Sequence, residues 1–156
     1  MAEIIVTGVD DSQPAMRAAE QAATLATALE AKLYVVSAFS ANVTDVSESI
    51  RYQGSRTAMA NALNELVGHH AGEAKRTASE VAGKLGTKFP QLLIASEAVE
   101  GSPGAALIRK AEELDASIIV VGNKRVQGPG RILGSIARAV ASEANCDLYV
   151  VNTHPR

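Results

Sequence analysis

The sequence predicts an α/β protein with a doubly wound, open, parallel sheet of five strands and helices on both faces. Short apolar runs rich in β-branched residues alternate with longer segments whose apolar residues recur at helical spacing. A glycine-rich segment follows the most apolar of these runs, and open parallel sheets commonly bind ligands where their strands end. The 156 residues suffice for one domain of this kind, which we expect to span residues 1–156.

The first elements form a strand–helix–strand unit. An apolar run in residues 3–8 predicts a buried strand that ends at a glycine. Ser12 and Pro14 predict the start of a helix, whose apolar positions recur through Glu30. A second strand is predicted over residues 32–38. Because such a unit joins parallel strands, its first loop should leave the sheet at the carboxyl edge.

The middle of the chain is predicted to be a polar loop followed by a long helix. Residues 39–53 are polar and only weakly periodic, which indicates an extended loop or lid. Helical spacing of apolar residues then extends over residues 56–85, and we expect Gly86 to end that helix. Gly68 and Gly72 are the candidate positions for a bend within it.

The remaining elements complete the alternation of strands and helices. A strand within residues 92–99 precedes a helix that Ser102 is expected to cap, with Pro103 at the first helical position. Residues 117–121 are the most apolar run and are predicted to be a central strand. The last two elements are a helix that begins at Ser135 and turns Ile136, Ala139 and Val140 inward, and a final strand over residues 147–152.

Composition and charge narrow the class of partner. The net charge is −2, aromatic residues make up 3% and Trp is absent, so the basic surface and stacking platform of proteins that bind nucleic-acid polymers are not evident. The N-terminus lacks a signal-peptide pattern, and no run approaches the ~18 apolar residues typical of a membrane span. Cys146 is the single cysteine, which favours a reducing compartment. We therefore expect a cytoplasmic protein with a small-molecule ligand and no membrane contact.

The segment after the predicted central strand has the features of a phosphate-binding loop. These features are glycines at positions 122, 128, 130 and 134, the cations Lys124, Arg125 and Arg131, and Ser135 at the start of a helix. Glycines let backbone N–H groups approach an anion, and a helix N-terminus adds a favourable partial charge. The alternative is a surface turn whose basic residues serve solubility.

A second candidate lies in the loop after the first strand, where Asp10 and Ser12 stand close together. This loop and the glycine-rich loop should both emerge at the carboxyl edge of the sheet. The carboxylate of Asp10 could then hold ribose hydroxyls or a metal ion. The alternative is that the two residues form only a turn and a helix cap. No catalytic residue and no set of metal ligands with recognisable spacing is assigned.

Three motifs give the sequence a resemblance to the universal stress protein family. They are Gly8-Val-Asp10-Asp-Ser12, Val99-Glu-Gly101-Ser-Pro103, and Val120-Val-Gly122-Asn123 followed later by Leu133-Gly134-Ser135. The resemblance covers nearly the whole chain. It implies a Rossmann-like fold of the adenine nucleotide alpha hydrolase type and binding of ATP or a related adenine nucleotide, with Mg²⁺ as a possible companion of ATP.

The resemblance also assigns roles to individual residues. Asp10 would contact the ribose, the backbone at Ala38 would meet the adenine edge, and Ser12 would accompany Asp10. The phosphates would be surrounded by Gly122, Gly134, Ser135 and Ile136, and Asn123 is assigned to the nucleotide site without a specific contact. Arg125 occupies the position of the family's second glycine, and the interval from it to Gly134 is one residue short, although Gly128 and Gly130 could supply the missing flexibility. This departure leaves AMP and cyclic AMP open beside ATP.

The expected function is that of a nucleotide-binding stress or signalling regulator without efficient turnover. One alternative is an enzyme that slowly hydrolyses ATP or transfers a phosphate. Another is a dimeric interaction module whose nucleotide site is vestigial. The apolar final strand, residues 147–152, is expected to be a sheet edge, and both this feature and the resemblance predict a homodimer formed through it.

Overall fold

The computed structural model describes residues 3–40, 56–123 and 134–153, and within them strands and helices alternate. The sequence analysis predicted this alternation, and the α/β class is confirmed. The predicted loop over residues 39–53 lies outside the described residues except at its first two positions. The elements in chain order are β1 (Ile4–Gly8), α1 (Gln13–Ala28), β2 (Lys32–Phe39), α2 (Arg56–Lys88), β3 (Ile94–Glu100), α3 (Pro103–Leu114), β4 (Ile118–Gly122), α4 (Ser135–Glu143) and β5 (Asp147–Val151).

The five strands form one parallel sheet in the order β3-β2-β1-β4-β5. The predicted doubly wound sheet is therefore confirmed, and β5 is an edge strand as expected. Strand β4 pairs with β1 and β5 and is an interior strand of the sheet, as predicted, although β1 is the middle one of the five. Both strands have the same burial pattern, so apolar content could not distinguish the middle strand from its neighbour.

Helices cover both faces of the sheet and enclose two separate cores. Helices α1 and α2 pack on one face, where alanines of α1 meet the apolar residues of β1 and β2. Helices α3 and α4 pack on the other face and against each other. Among the described residues, no helix combines the length and apolar character needed to cross a membrane.

Helix α2 is longer than predicted. It runs unbroken from Arg56 to Lys88, so Gly86 lies inside it and neither Gly68 nor Gly72 interrupts it. An exposed helical glycine costs only about 1 kcal/mol, which the burial of apolar residues such as Leu85 on the same helix readily offsets. The helix ends just before Pro90, because the residue that precedes a proline is disfavoured in the helical conformation.

Other boundaries differ from the predictions by one or two residues for local reasons. Helix α1 ends at Ala28 and not at Glu30, whose φ of 53° takes the backbone into the left-handed region. Strand β3 begins at Ile94, within the predicted range, and ends at Glu100, one residue beyond it. The fully inward residues of α4 are Ala137 and Val140, whereas Ile136 and Ala139 are half-buried.

Candidate functional site

A cavity of about 200 Å³ opens at the carboxyl edge of the sheet, beside the ends of β1 and β4. The chain leaves β1 towards β2 on one side and later returns to β4 on the other, so this is the point where the strand order reverses. Ligands of open α/β sheets bind in the crevice that this reversal creates. The cavity is lined by residues of β1, the loop after it, α1, β2, α3, β4, α4 and the segment after β5.

Most of the predicted site residues lie around this cavity. The described ones that line it are Asp10, Ser12, Ala38, Gly122, Gly134, Ser135 and Ile136. Asn123 is not among the lining residues; its backbone N–H donates to the carbonyl of Val151 at 2.8 Å and its carbonyl accepts from the Thr153 hydroxyl at 2.9 Å. Arg125 and Gly128 lie outside the described residues, as do Lys124, Gly130 and Arg131.

The loop after β1 holds Asp10 and Ser12 through local hydrogen bonds. One carboxylate oxygen of Asp10 accepts from the backbone N–H of Ser12 at 2.9 Å. The Ser12 hydroxyl in turn accepts from the N–H of Ala15 at 3.2 Å and thereby caps α1. The turn and the cap proposed as an alternative for these residues are thus present. Both side chains nevertheless border the cavity, so the two interpretations are compatible.

Gly8 and Gly122 allow the ends of β1 and β4 to lie close to other elements of the protein. A Cβ built on Gly8 would lie 2.9 Å from a methyl carbon of Leu107 in α3. A Cβ built on Gly122 would lie 3.0 Å from Cγ2 of Thr153 and 3.6 Å from Cβ of Ala18 in α1. Carbon atoms prefer separations of about 3.5–4.0 Å. Any side chain at either position would therefore push the cavity walls apart.

The N-terminus of α4 faces the cavity with Gly134 at the cap position and Ser135 as the first helical residue. The first backbone hydrogen bond of the helix runs from the N–H of Arg138 to the carbonyl of Gly134 at 3.0 Å. The N–H groups before Arg138 have no partner within the helix, and together with the helix dipole they attract anions. In this part of the chain, a phosphate could therefore be held by backbone groups.

Close packing of α3 on α4 sets the position of that helix terminus. A Cβ built on Gly104 of α3 would lie 3.0 Å from Cβ of Ala139 in α4. Two small residues therefore allow the helices to approach each other closely, which keeps the start of α4 beside the cavity. Ser102 stands at the N-cap of α3 as predicted, but its side chain makes no capping hydrogen bond.

Asp10 is the one ionisable side chain among the described residues that line the cavity. The resolved pKa shifts belong to residues elsewhere. The pKa of Lys110 is raised, first by its hydrogen bond to Glu97 and also by Glu113, against an opposing effect of burial. The pKa of the Cys146 thiol is raised mainly by burial.

Several lining residues were missed by the sequence analysis. Ser37 precedes Ala38 on β2, Leu107 comes from the inward face of α3, and Thr153 follows β5. Leu107 has the periodicity of an ordinary core residue, so nothing local marks it as part of a site. Thr153 could have been found from topology, because β5 runs parallel to β4 and must end at the same edge as Gly122.

Fold and site together define an open parallel α/β protein with a ligand-type cavity at the switch point of its sheet. The model of the universal stress protein family matches residues 1–152. The chain is 32% identical over 155 residues to universal stress protein Rv1636 of Mycobacterium tuberculosis, covering 96% of this chain and 95% of that relative. It is also 30% identical over 148 residues to universal stress protein MJ0531 of Methanocaldococcus jannaschii, covering 94% and 80%. The chain belongs to the universal stress protein family.

Solved structures agree with this assignment. A universal stress protein crystallised in complex with cAMP is 28% identical, with a TM-score of 0.66 and coverage of 97% of this chain and 98% of that one. The universal stress protein UspA from Lactobacillus plantarum superimposes with a TM-score of 0.73, covering 96% and 97%, and at 21% identity it supports the fold alone. The predicted membership and fold are confirmed.

Proposed function

We propose that this protein binds an adenine nucleotide in the cavity at the carboxyl edge and acts as a ligand-responsive stress or signalling regulator. The observation that carries the proposal is the convergence of Asp10, Gly122 and the α4 N-terminus at Gly134–Ser135 on one cavity. A carboxylate for ribose hydroxyls and free helical N–H groups for phosphates are the two chemistries that a nucleotide requires. The relative crystallised with cAMP supports the same ligand class.

Within the site, the nucleoside would occupy the pocket between β1 and β2, and the phosphates would meet α4. Val36 and Ala38 of β2 offer an apolar wall and a strand end to the base. AMP and cyclic AMP stand beside ATP as candidate ligands, with Mg²⁺ accompanying ATP, because Arg125 takes the place of the family's second glycine.

The absence of paired acid–base groups among the described lining residues supports a binding role without efficient turnover. Asp10 alone cannot serve both as a base for an attacking water and as a ligand of the ribose. We expect a protein with this role to be located in the reducing cytoplasm.

The first test is to denature the purified protein, identify released small molecules by mass spectrometry, and titrate the protein with ATP, AMP and cyclic AMP by calorimetry. Binding in the micromolar range, weakened in a Gly134→Val, Ser135→Ala double variant that keeps its circular dichroism spectrum, would support the phosphate assignment. Asp10→Ala should weaken ribose-containing ligands separately. No binding of any nucleotide would instead favour a dimeric interaction module with a vestigial site.

We also propose a homodimer in which β5 pairs with its copy. Strand β5 is an edge strand, and Tyr149 and Val150 on it are 45% and 37% exposed. An exposed apolar edge strand presents unpaired backbone groups that can pair with a strand of another chain. Sedimentation equilibrium should show a dimer that Val150→Pro shifts to monomer, because proline removes a backbone donor. A monomer at all concentrations in the unsubstituted protein would overturn this part of the proposal.

A further inference from the structure

The end of β5 and the segment that follows it are tied to the start of the glycine-rich loop by one side-chain and one backbone hydrogen bond. The hydroxyl of Thr153 donates to the carbonyl of Asn123 at 2.9 Å, and the N–H of Asn123 donates to the carbonyl of Val151 at 2.8 Å. Thr153 is only 6% exposed although its side chain is polar. A buried hydroxyl with one geometrically defined acceptor fixes the backbone that carries the acceptor.

Helix α1 adds a further tie to the same residue. Nη1 of Arg17 donates to the backbone carbonyl of Thr153 at 2.8 Å. The position of Thr153 is thus defined from two sides, by the guanidinium of α1 and by the end of β4. On the side facing the sheet, its Cγ2 methyl lies where it would contact any side chain at Gly122.

Thr153 also borders the cavity next to Gly122. Gly122 is one of the positions where the backbone must approach the phosphates if the proposed function is correct. The orientation of the Gly122–Asn123 backbone depends on the carbonyl of Asn123, and the hydroxyl of Thr153 holds that carbonyl.

We propose that Thr153 is a positioning residue for phosphate binding: its hydroxyl fixes the Gly122–Asn123 backbone, and Arg17 fixes Thr153. The inference rests on the proposed function and adds residues from the end of the chain and from α1 that carry none of its expected ligand contacts. Loss of the Thr153 hydroxyl should therefore weaken the binding of the ligand's phosphates and leave the base and ribose contacts unchanged.

The test compares the binding of adenosine with that of AMP and cyclic AMP in Thr153→Val, Thr153→Ser and a control variant at Thr7. Thr153→Val keeps the shape of the side chain but loses the hydroxyl, so AMP and cyclic AMP should bind roughly 3- to 10-fold more weakly while adenosine binding stays unchanged. Thr153→Ser keeps the hydroxyl and should retain the affinity of the unsubstituted protein. Recovery by serine separates hydrogen bonding from a general loss of packing.

Thr7→Val is the matched control. The Thr7 hydroxyl is fully buried and donates to the carbonyl of Val120 at 3.0 Å, so its loss also removes one buried hydrogen bond to the β4 segment. Thr7 does not border the cavity, and this variant should therefore lose stability without a selective loss of phosphate binding. If Thr153→Val does not fold, Arg17→Met, at an exposed position, removes the hydrogen bond that fixes Thr153 from α1 and should weaken AMP binding about threefold.

The possible results distinguish this inference from the proposed function. If the unsubstituted protein binds AMP and Thr153→Val binds it equally well, the positioning role is overturned and the proposed function stands. Equal weakening of adenosine and AMP would also overturn it, because the effect would then not act through the phosphates. If the unsubstituted protein binds no nucleotide, the proposed function fails and the inference fails with it.

Discussion

Replacing Gly122 with alanine tests the packing at the mouth of the cavity. The new Cβ would lie 3.0 Å from Cγ2 of Thr153, 3.6 Å from Cβ of Ala18 and 3.8 Å from the carbonyl oxygen of Pro14. The first distance falls short of the preferred carbon–carbon separation by about 0.5–1 Å. The other two leave the alanine no space on the opposite side, so Thr153 must move.

Overpacking of this kind costs about 1–3 kcal/mol of folding free energy. For a chain of this size, each kcal/mol lowers the melting temperature by about 2–4 °C, so Gly122→Ala should lower it by about 2–12 °C. Thr153→Ser removes Cγ2 and leaves only ordinary contacts to the new Cβ. The double variant Gly122→Ala, Thr153→Ser should therefore recover most of the loss relative to Thr153→Ser alone.

Differential scanning calorimetry on the four proteins of this double-mutant cycle measures the coupling directly. Gly83→Ala in α2 is the control for the glycine-to-alanine change itself. A Cβ at Gly83 meets nothing within 4 Å, so this variant should gain about 0.5–1 kcal/mol. If Gly122→Ala is equally destabilising with threonine and with serine at position 153, the contact between these residues does not limit the packing, and the reasoning is refuted.

Three further predictions concern the rest of the molecule. Ser12→Ala should lower the free energy of unfolding, measured by urea denaturation, by about 1 kcal/mol because the Ser12 hydroxyl caps α1. Ser102→Ala should change it by less than about 0.5 kcal/mol, because the Ser102 side chain makes no capping hydrogen bond, and equal losses would contradict the assigned caps. Leu107→Ala should lower the free energy of unfolding by about 2–3 kcal/mol and Leu85→Ala by about 3–5 kcal/mol, because Leu107 borders an open cavity and Leu85 lies in a closed core. A lower urea midpoint for Leu107→Ala than for Leu85→Ala would contradict this. The ammonium group of Lys110 lies 2.8 Å from the Glu97 carboxylate and 3.0 Å from that of Glu113, and the folded-state pKa of Lys110 is raised. The stability that these ion pairs contribute is therefore fully present below the unfolded pKa of about 10.5 and is lost as the pH rises through the folded-state pKa. The stability of the unsubstituted protein relative to Lys110→Met should therefore fall as the pH rises above about 10.5, and a constant difference would show that the ion pairs add nothing.

The sequence predicted the fold well because its elements are defined locally. The apolar runs of β1 and β4, the cap at Ser12 and the proline at the start of α3 all act within a few residues of their own position. The order of strands was less accessible, because β1 and β4 bury equal numbers of residues and only the connection between elements decides which one lies in the middle.

The residues of the candidate site also differ in whether local sequence could predict them. Asp10, Gly134 and Ser135 could be predicted because a polar loop after a strand and a glycine before a helix have local signatures. Leu107 and Thr153 could not be predicted in the same way. Each reaches the cavity only because a distant element packs beside β1 or β4, and each has the residue type of an ordinary core or strand-end position.

The small residues of α1 connect the core with the site. Ala18 and its neighbours on the buried face of α1 are fully buried, which allows the helix to lie close to the sheet. Because α1 lies so close, Ser12 at its start reaches the cavity and Arg17 reaches the carbonyl of Thr153. A larger residue at position 18 would move the helix outward and shift the Asp10–Ser12 loop and the Thr153 tie in the same direction. The alanine-rich character of α1 is therefore a requirement of the site as well as of the core.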